Sequence, residues 1–231
     1  MYSAPVRRGG DAVIRPLYPL FVQDAVVPVV PVKIRRASPR DHEAVVRVLV
    51  RAFDDDPAIN YMLRQDAHRA RAFELCFGAF FRHMTMPHGE TWMDEAATGA
   101  ALWTPPGRWD VSLSTAISMA PALLRAVGVT RARAVVRAGN RVHKVHPKAP
   151  HYYLFAIGVD PDAQGRGIGS TLLREVLARC DSERVPAYLE ASKPENARLY
   201  ARHGFRVTEE FHMAPDAPPI WPMWREPQQQ S

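Results

Sequence analysis

The chain has 231 residues, of which 47% are hydrophobic and 23% charged, so it can bury a core and is not intrinsically disordered. Its two cysteines, Cys76 and Cys180, are too few to cross-link a scaffold of this length, which excludes a disulfide-rich secreted protein. The sequence has no run of about 20 apolar residues. The apolar segment at 25–32 is interrupted by prolines and follows an aspartate, unlike a signal peptide. We therefore expect a cytoplasmic protein without a membrane partner.

The formal net charge of +6 comes from one segment of the chain. Residues 111–159 contain seven basic side chains and no acidic one, which leaves 23 basic against 24 acidic residues elsewhere. The seven basic residues are Arg125, Arg131, Arg133, Arg137, Arg141, Lys144 and Lys148. Such a run is typical of a solvated helix face, and it is also compatible with an anionic ligand or a nucleic acid. A nucleic acid is therefore an alternative partner and not the expected one.

Residues 1–31 are predicted to form an extended, poorly ordered arm, because prolines recur at positions 5, 16, 19 and 28 and no hydrophobic period is sustained. A single domain is expected over residues 32–226, followed by a disordered, glutamine-rich tail at 227–231. The domain opens with a predicted strand from Val32, a turn, and a helix whose apolar face ends at Phe53.

The middle of the domain is predicted to combine helices with one hairpin. The Asp56-Pro57 pair is typical of a helix start. Residues 91–104 are predicted to form a hairpin of two short strands. Residues 112–142 are helical in pattern, with Gly128 and Gly139 expected to interrupt the helix.

The segment from residue 152 onward carries the clearest pattern. Residues 152–159 are continuously apolar, which predicts a central strand buried on both faces. After a short spacer comes the glycine loop, Gln-Gly-Arg-Gly-Ile-Gly at 164–169, which leads into a helix with an apolar face. The order strand, helix, strand, strand is then predicted at 185–190, 194–203, 205–208 and 221–224.

The glycine loop places backbone N–H groups at a helix N-terminus, an arrangement that binds phosphate or pyrophosphate. Glycines also occur in tight strand-to-helix turns for packing reasons. A dinucleotide-binding Rossmann turn is one alternative, favoured by Glu190 at the end of the next strand. Against it, a proline-containing spacer at 160–163 separates the strand from the glycines, and only 62 residues follow Gly169. The Rossmann arrangement therefore stays a minor alternative.

Two separately spaced motifs resemble the acetyl-CoA signature of the GNAT acetyltransferases. The first runs from Gly158-Val159-Asp160-Pro161 through the glycine loop, and the second is Glu195-Asn196-Ala197-Arg198-Leu199-Tyr200 followed by His203-Gly204-Phe205. Four further segments are similar, more narrowly, to the puromycin N-acetyltransferase-like group: 99–105, 146–150, 185–192 and 221–225. The resemblance extends from about Val32 to Glu226.

The resemblance implies an α/β (α+β) fold, with a mixed central sheet of six to seven strands, helices on both faces, and a splay between strands 4 and 5. It also implies acetyl-CoA as co-substrate, with pantetheine inserted at the splay like a missing strand and the pyrophosphate held by the glycine loop. The cofactor-binding residues that it implies are Gly158, Val159, Gln164, Gly165, Arg166, Gly167, Ile168, Gly169 and Asn196.

Two residues are expected to be catalytic in acetyl transfer to an amine. In the family the tyrosine at the position of Tyr200 reaches the thioester sulfur, and a phenol with an ordinary pKa of about 10 can protonate the departing thiolate. Glu190 ends the fifth predicted strand at the splay, where it could take a proton from an ammonium group directly or through water. Three aspartates are further candidates for attracting a cationic amine: Asp54, Asp55 and Asp56.

No metal site is expected. His143, His146 and His151 have no carboxylate or cysteine near them in sequence, and their spacing suits no helix face. No Ser-His-Asp or Cys-His pattern stands out, which disfavours a covalent acyl-enzyme.

The sequence and the resemblance together predict an acetyl-CoA-dependent N-acetyltransferase that moves the acetyl group directly to the primary amine of a small molecule. The likeness to the subgroup implies that puromycin-like or other small primary amines are preferred to proteins. An acetyltransferase for a protein or peptide amine is one alternative. Another is a CoA-binding or nucleic-acid-binding regulator of the same fold, without catalysis, in which the basic segment 125–148 binds the partner. A homodimer is left open.

Overall fold

A computed structural model describes residues 32–229, so the predicted arm at 1–31 and the last two residues of the predicted tail lie outside the described residues. The strands of this part are β1 (Ile34–Arg36), β2 (Thr91–Asp94), β3 (Gly99–Thr104), β4 (Tyr152–Val159), β5 (Ala187–Ala191), β6 (Arg206–Val207), β7 (Phe211–His212) and β8 (Pro219–Arg225). The α-helices are α1 (His42–Ala52), α2 (Pro57–Met62), α3 (Arg69–Phe80), α4 (Leu113–Val127), α5 (Val129–Val145), α6 (Ile168–Glu183) and α7 (Pro194–Arg202).

The strands form one mixed sheet in the order β1-β2-β3-β4-β5-β8-β6, with the short β7 paired to β8. Pairing is antiparallel between all neighbours except β4 and β5, which run parallel because α6 connects them. The predicted mixed sheet is confirmed. The structure adds β7 to the two final strands that the sequence pattern predicted.

The pair β4–β5 separates part of the way along its length. The register joins Tyr152 to Ala187 and Leu154 to Leu189, after which β4 continues to Val159 without β5. On the other side of β4 the register with β3 shifts, so that Phe155 is an extra residue between Leu154 and Ala156. A bulge of this kind bends the strand that carries it. The predicted splay between strands 4 and 5 is therefore confirmed, and it starts at the bulge.

Helices cover both faces of the sheet, as predicted. One core cluster includes Leu49 of α1 together with Phe73 and Phe77 of α3, all fully buried. A second cluster includes Leu172 and Val176 of α6. The apolar face predicted for α6 matches the residues that are buried.

The prediction that β4 is buried on both faces is wrong. Its side chains alternate between buried and half-buried, and the half-buried ones are Tyr153, Phe155, Ile157 and Val159. The residues are all apolar because the half-buried face lines cavities and does not face open solvent.

Between β3 and β4 the chain forms α4 and α5, which turn sharply at Gly128. Gly128 has a φ of +83°, in the region that only glycine enters readily, and it interrupts the helix as predicted. Gly139 does not interrupt it: α5 runs through this residue, since a glycine weakens a helix by about 1 kcal/mol without necessarily ending it. Arg131 holds α5 against α2 by donating to the carbonyl oxygens of Leu63, at 2.6 Å, and Tyr61.

Within residues 32–229, no single helix is long and apolar enough to cross a membrane. α4 and α5 together meet that length and composition, but the two helices are bent by 119° at Gly128.

The chain remains in contact with the domain beyond residue 226. The backbone N–H of Gln228 donates to Oδ1 of Asp181 in α6, at 2.6 Å. The first residues of the predicted tail are thus hydrogen-bonded to the helical layer.

Candidate active site

A cavity of about 770 Å³ lies between the carboxyl end of β4, the glycine loop and α7. Eight of the nine predicted cofactor-binding residues line this glycine-loop cavity: Gly158, Val159, Gln164, Gly165, Gly167, Ile168, Gly169 and Asn196. Arg166 is not among the residues that line it, because its Nη2 donates to the carbonyl oxygen of Asp162 at 3.0 Å. The two separately spaced sequence motifs therefore meet at one cavity.

The backbone of the glycine loop is shaped for an anion. Gly165 and Gly167 have φ values of +77° and +79°, and a Cβ on either would meet nothing within 4 Å. Backbone conformation, and not crowding by neighbours, thus requires glycine at both positions. The first hydrogen bond of α6 joins the Thr171 N–H to the Gly167 carbonyl at 3.0 Å. The N–H groups of residues 168–170 precede that ladder and carry the positive end of the helix dipole.

Gly158 has a packing reason to be glycine besides its place in the cavity. A Cβ at this position would lie 2.6 Å from the Cβ of Ala52 and 3.2 Å from a methyl carbon of Leu49. Glycine lets α1 approach β4 closely, so substitution at Gly158 would displace α1 before it affected a ligand.

Tyr200 lies on α7 and lines the glycine-loop cavity, with 7% of its surface exposed. Burial and the charge of Asp56 raise the pKa of its phenol above the ordinary value. The hydroxyl therefore keeps its proton at neutral pH, as a proton donor must.

A second cavity, of about 690 Å³, lies beneath α4 and α5 and is lined almost entirely by apolar side chains. Glu190 and Ser192, at the end of β5, are among its few polar residues. We call it the apolar cavity. It shares two lining residues, Phe53 and Asp56, with the glycine-loop cavity. Glu190 lines the apolar cavity and Tyr200 lines the glycine-loop cavity, so the two predicted catalytic residues belong to different cavities.

Both cavities follow the half-buried face of β4. Tyr153 and Phe155 line the apolar cavity, whereas Ile157 and Val159 line the glycine-loop cavity. The bulge at Phe155 marks the change from one to the other.

The three aspartates of the 54–56 run have different partners. Asp54 pairs with Arg69 and Asp55 with Lys193, each at 2.6 Å. Asp56 caps α2 by accepting from the Ile59 N–H at 2.9 Å, as predicted, and it also accepts from the Ser192 hydroxyl. Asp56 is 2% exposed and lines both cavities, whereas Asp54 and Asp55 line the glycine-loop cavity alone.

Sequence reasoning missed the surroundings of Glu190. Nδ1 of His146 lies 3.5 Å from Oε1 of Glu190, and Nε2 of His146 lies 3.0 Å from Nε2 of His151. No carboxylate is near these histidines in sequence, because Glu190 is supplied by β5. The parallel register of Tyr152 with Ala187 brings the two segments together, and strand pairing is the signal that could have shown it. Within the part of the chain that the structure describes, no cluster of three or more metal ligands is found.

Two tyrosines also face Glu190. Burial, and then the charge of Glu190, raise the pKa values of Tyr153 and Tyr188 well above the ordinary value. Both side chains therefore stay protonated and neutral, so the carboxylate lies among aromatic rings without a neighbouring anion from either of them.

Neither cysteine is a ready nucleophile. Cys76 lines the apolar cavity, but burial raises the pKa of its thiol to about 12. Burial, opposed in part by the charge of Arg225, also raises the pKa of Cys180 in α6 to about 12. A thiol with such a pKa is almost never the reactive thiolate at neutral pH.

The basic segment lies mostly on the exposed side of α4 and α5. Arg133, Arg137 and Arg141 are exposed on α5. Arg131, by contrast, is half-buried and bonded to backbone carbonyls of the α2 region. One of the seven basic residues is therefore occupied in holding the cavity wall.

Comparison with known proteins agrees with this geometry. The family model described as the acetyltransferase (GNAT) family matches residues 115–205. An uncharacterized N-acetyltransferase of Schizosaccharomyces pombe is 25% identical over 210 residues, which cover 85% of this chain and 84% of that protein.

Solved structures share the fold. One from Corynebacterium glutamicum, described as histone acetyltransferase HPA2 and related acetyltransferase, has a TM-score of 0.66 and 25% identity, covering 87% of this chain and 99% of the other. Arylalkylamine N-acetyltransferase 2 from Aedes aegypti has a TM-score of 0.58 at 12% identity, covering 85% and 99%, and shows the fold alone. Together with the parallel β4–β5 pair that parts at a bulge, these matches show that the chain contains a GNAT acetyltransferase domain and is similar to proteins named N-acetyltransferases.

Proposed function

We propose that this protein is a cytoplasmic enzyme that moves an acetyl group from acetyl-CoA directly to the primary amine of a small molecule. The observation that carries the proposal is the meeting of two cavities of different character at Phe53 and Asp56. One has the backbone groups that an anionic co-substrate needs, and the other has apolar walls with a carboxylate. A donor and an acceptor bound in these cavities would face each other at the junction.

The glycine-loop cavity suits acetyl-CoA. The left-handed glycines and the N-terminus of α6 would hold the pyrophosphate, and the unpaired side of β4 near Gly158 and Val159 would bond the pantetheine amides. When bound, acetyl-CoA supplies the thioester whose acetyl group is transferred.

The protein's own groups would move the protons of the reaction. An amine at neutral pH is an ammonium ion, and it must lose a proton before its nitrogen can attack the thioester carbonyl. Glu190 would accept that proton from the side of the apolar cavity. Tyr200 would donate a proton to the sulfur that leaves, since its phenol remains protonated. The attacking nitrogen must lose its second proton to become the amide, and that proton would restore the phenol of Tyr200.

Direct transfer is supported by the state of the cysteines. Cys76, the one thiol that lines either cavity in the described chain, is held in the neutral form by burial. We therefore propose that no acyl-enzyme forms and that both substrates are bound together before transfer.

The walls of the apolar cavity favour an amine with an apolar body. Its volume of about 690 Å³ lies in the range of cavities that enclose drug-sized ligands. Apolar side chains of α4, α5 and β4 would enclose that body, while Glu190 would face the ammonium group. The sequence resemblance to the puromycin N-acetyltransferase-like group supports an acceptor of this kind.

An amine panel tests the proposal. The full chain is incubated with acetyl-CoA and with a bulky aromatic primary amine, a small polar diamine, a peptide with a free N-terminus, or a lysine-rich protein. Thiol release and the mass of the product are measured. We expect the aromatic amine to have the highest kcat/KM. Turnover confined to the peptide or protein would contradict the small-molecule acceptor.

The regulator alternative is tested separately by a DNA gel-shift at two salt concentrations. A small-molecule enzyme is expected to give no shift, whereas binding through the exposed arginines of α5 would weaken steeply as salt increases. Stable complexes at low salt, together with no turnover in the panel, would favour the regulator.

A further inference from the structure

We propose that His146 is a positioning residue that shares the acceptor's proton with Glu190, and that His151 fixes His146 in the tautomer required for this. The inference rests on the proposed function and deepens it, because it assigns the destination of the proton that Glu190 removes. It starts from two histidines that the family assignment leaves without a role.

A chain of contacts sets the proton positions on both rings. Nδ1 of His151 lies 2.7 Å from the carbonyl oxygen of Ala149. A carbonyl oxygen can only accept a hydrogen bond, so Nδ1 of His151 must carry the proton. In the neutral ring, Nε2 of His151 is then an acceptor, and it lies 3.0 Å from Nε2 of His146. Nε2 of His146 must therefore be the donor.

This assignment leaves Nδ1 of His146 with its lone pair directed at Glu190. The distance from Nδ1 to Oε1 of Glu190 is 3.5 Å. Oε1 is buried and accepts no hydrogen bond from any residue in the described part of the chain. A lone pair and a carboxylate oxygen that face each other at this distance form a place for one proton. Oε1 of Glu190 and Nδ1 of His146 can therefore act together as a base that accepts one proton.

The proposed step transfers one proton and no electrons. The N–H bond of the acceptor ammonium breaks with its electron pair left on nitrogen, and an O–H bond forms on Glu190. The proton then passes to Nδ1 of His146, which gives an imidazolium paired with the carboxylate. The Ala149 carbonyl ends the chain, because a carbonyl oxygen cannot pass the proton on. The proton is therefore stored at His146 and passes back through Glu190 to solvent in the emptied apolar cavity after the product leaves.

The ring of His146 is held in place on all sides. It stacks on Trp109 with 3.8 Å between ring centroids, and it meets Tyr153 and Tyr188 edge to face with 4.7 Å between centroids in each pair. The ring of His151 lies against Trp224 at 5.5 Å. His146 is 4% exposed and His151 is fully buried, so neither nitrogen pair is open to solvent.

The other ionisable groups near this pair are neutral or lie further from it. Burial lowers the pKa of His151, which favours its neutral form. Tyr153 of β4 and Tyr188 of β5 are protonated and neutral, because burial raises the pKa of each phenol. The remaining charged groups lie further out: Lys148 above the Trp109 ring at 4.9 Å, His143 paired with Asp110 at 3.3 Å, and Glu209, whose charge contributes to the raised pKa of Tyr188.

The kinetic test compares His146→Phe with the parent enzyme across pH. Phenylalanine keeps the ring stacked on Trp109 and removes both nitrogens. At pH 7 we expect kcat/KM for the best amine to fall by roughly 10- to 100-fold. The deficit should shrink to within about 3-fold as pH approaches the pKa of the acceptor amine, because a neutral amine needs no proton acceptor. A loss of the same size at every pH would show a structural role and overturn the proposal.

Two further variants sharpen the kinetic result. His143→Phe is the matched control, since His143 also lies against Trp109, at 5.0 Å, but it is half-exposed and paired with Asp110. It should leave kcat/KM unchanged at all pH values. Adding His146→Phe to Glu190→Gln should cost little beyond Glu190→Gln alone, because both act on one proton. Fully multiplicative losses would contradict the shared site.

The last test does not depend on turnover. Ring ¹⁵N spectra of the unsubstituted protein should show protonated Nε2 on His146 and Nδ1 on His151. The Nδ1 resonance of His146 should shift in Glu190→Gln, because the carboxylate that faces it becomes an amide. A reversed tautomer on either ring, or an Nδ1 resonance of His146 that Glu190→Gln leaves in place, would overturn the proposal. If the tautomers are as proposed but no amine is acetylated, the proposed function fails and the histidine assignment stands.

Discussion

Removal of the Tyr200 hydroxyl is expected to affect the chemical step and not the binding of acetyl-CoA. Tyr200→Phe keeps the buried ring in the glycine-loop cavity and removes the proton that Tyr200 is proposed to give to the leaving sulfur. We expect kcat to fall by roughly 10²- to 10⁴-fold while the Kd for acetyl-CoA changes little. A CoA analogue with a more acidic thiol should recover part of the loss. Steady-state kinetics and calorimetry on the same preparation measure both quantities.

Tyr152→Phe is the control for this substitution. The Tyr152 hydroxyl donates to Glu183 at 2.7 Å and accepts from Arg179 at 2.7 Å, and Tyr152 lines neither cavity. Its loss should lower stability by about 1 kcal/mol and leave kcat unchanged. Full turnover in Tyr200→Phe, with chemistry shown to limit the rate, would mean that the phenol of Tyr200 is structural.

Gly169→Ala tests the phosphate role of the glycine loop without straining the backbone. Gly169 lies in the first turn of α6, and its added Cβ would meet only a methyl carbon of Val159, at 3.6 Å. The variant should therefore be at least as stable as the parent. The methyl group would nevertheless be added to the lining of the cavity that we propose for the pyrophosphate. We expect the Kd for CoA to rise about 10-fold, a change of about 1.4 kcal/mol in binding.

Gly139→Ala serves as the comparison for Gly169→Ala. Gly139 is also helical, its Cβ would meet nothing within 4 Å, and it lies outside the glycine-loop cavity. Thermal unfolding and calorimetry should show similar stability for both variants and unchanged CoA affinity for Gly139→Ala. Equal CoA affinity in both variants would remove the support for a phosphate site at this loop. Gly167 is a poorer choice, because at a φ of +79° any side chain adds strain.

At the scale of elements, the patterns that predicted most reliably were the long local ones. The strand β4 was predicted from a continuous apolar run and the buried face of α6 from apolar residues at helical spacing, although the burial predicted for both faces of β4 was wrong. The glycine loop was found because its residues are adjacent in sequence. The prediction that Gly139 interrupts the helix was wrong, because one glycine weakens a helix by only about 1 kcal/mol and α5 continues through it.

The proton site at Glu190 could not be predicted in the same way. Its members come from the end of α5, the start of β4 and the end of β5, and His146 and Glu190 are 44 residues apart. Only the parallel register, and the bulge at Phe155 that ends it, place them together. The sequence contains no local pattern that predicts the parallel register or the bulge. The half-buried face of β4 could not be predicted either, because it lines cavities whose other walls come from distant parts of the sequence.

The pair α4–α5 is an element whose position should control the acceptor and not the donor. Arg131→Met removes the hydrogen bonds that tie α5 to the carbonyls of Leu63 and Tyr61. We expect the KM for the amine to rise several-fold, roughly 3- to 10-fold, because the wall of the apolar cavity loosens. Initial-rate kinetics with each substrate varied in turn measure this, and the KM for acetyl-CoA should not change.

Arg133→Met removes an equal charge from the exposed side of α5 and should leave both KM values unaltered. If both substitutions raise the KM for the amine equally, the lost positive charge and not the lost hydrogen bonds would explain the effect. If only the KM for acetyl-CoA rises, α5 would contact acetyl-CoA and not the amine, which contradicts the prediction.

At the scale of the whole molecule, one buried ion pair joins the sheet to the helical layer. Arg225 of β8, 3% exposed, donates to both carboxylate oxygens of Asp181 in α6, at 2.7 and 2.8 Å. Burial acts to raise the pKa of Asp181, but the hydrogen bonds from Arg225 and from the Gln228 N–H outweigh it, so the pKa is lowered. The pair therefore stabilises the fold above the unfolded-state pKa of about 4 and loses that contribution as pH falls through the folded-state value.

Arg225→Met should reduce the free energy of unfolding by about 3 kcal/mol at pH 7, because it leaves the Asp181 carboxylate mostly buried without its cation. The difference from the parent should narrow as pH falls towards 4 and Asp181 becomes protonated in the variant. Urea unfolding at several pH values tests this. A difference that stays constant with pH would mean that lost packing of the arginine stem, and not the charge pair, accounts for the effect.

The early end of the β4–β5 register also gives the sheet an internal edge. Past Leu154, one side of the β4 backbone has no bonds to β5, so its amides should exchange with deuterium faster than those of β3 or β5. A ligand that completes this edge would slow the exchange and raise the apparent stability by about 2.7 kcal/mol at a hundredfold excess over its Kd. The susceptibility of the protein to proteolysis is then expected to follow the local supply of its co-substrate.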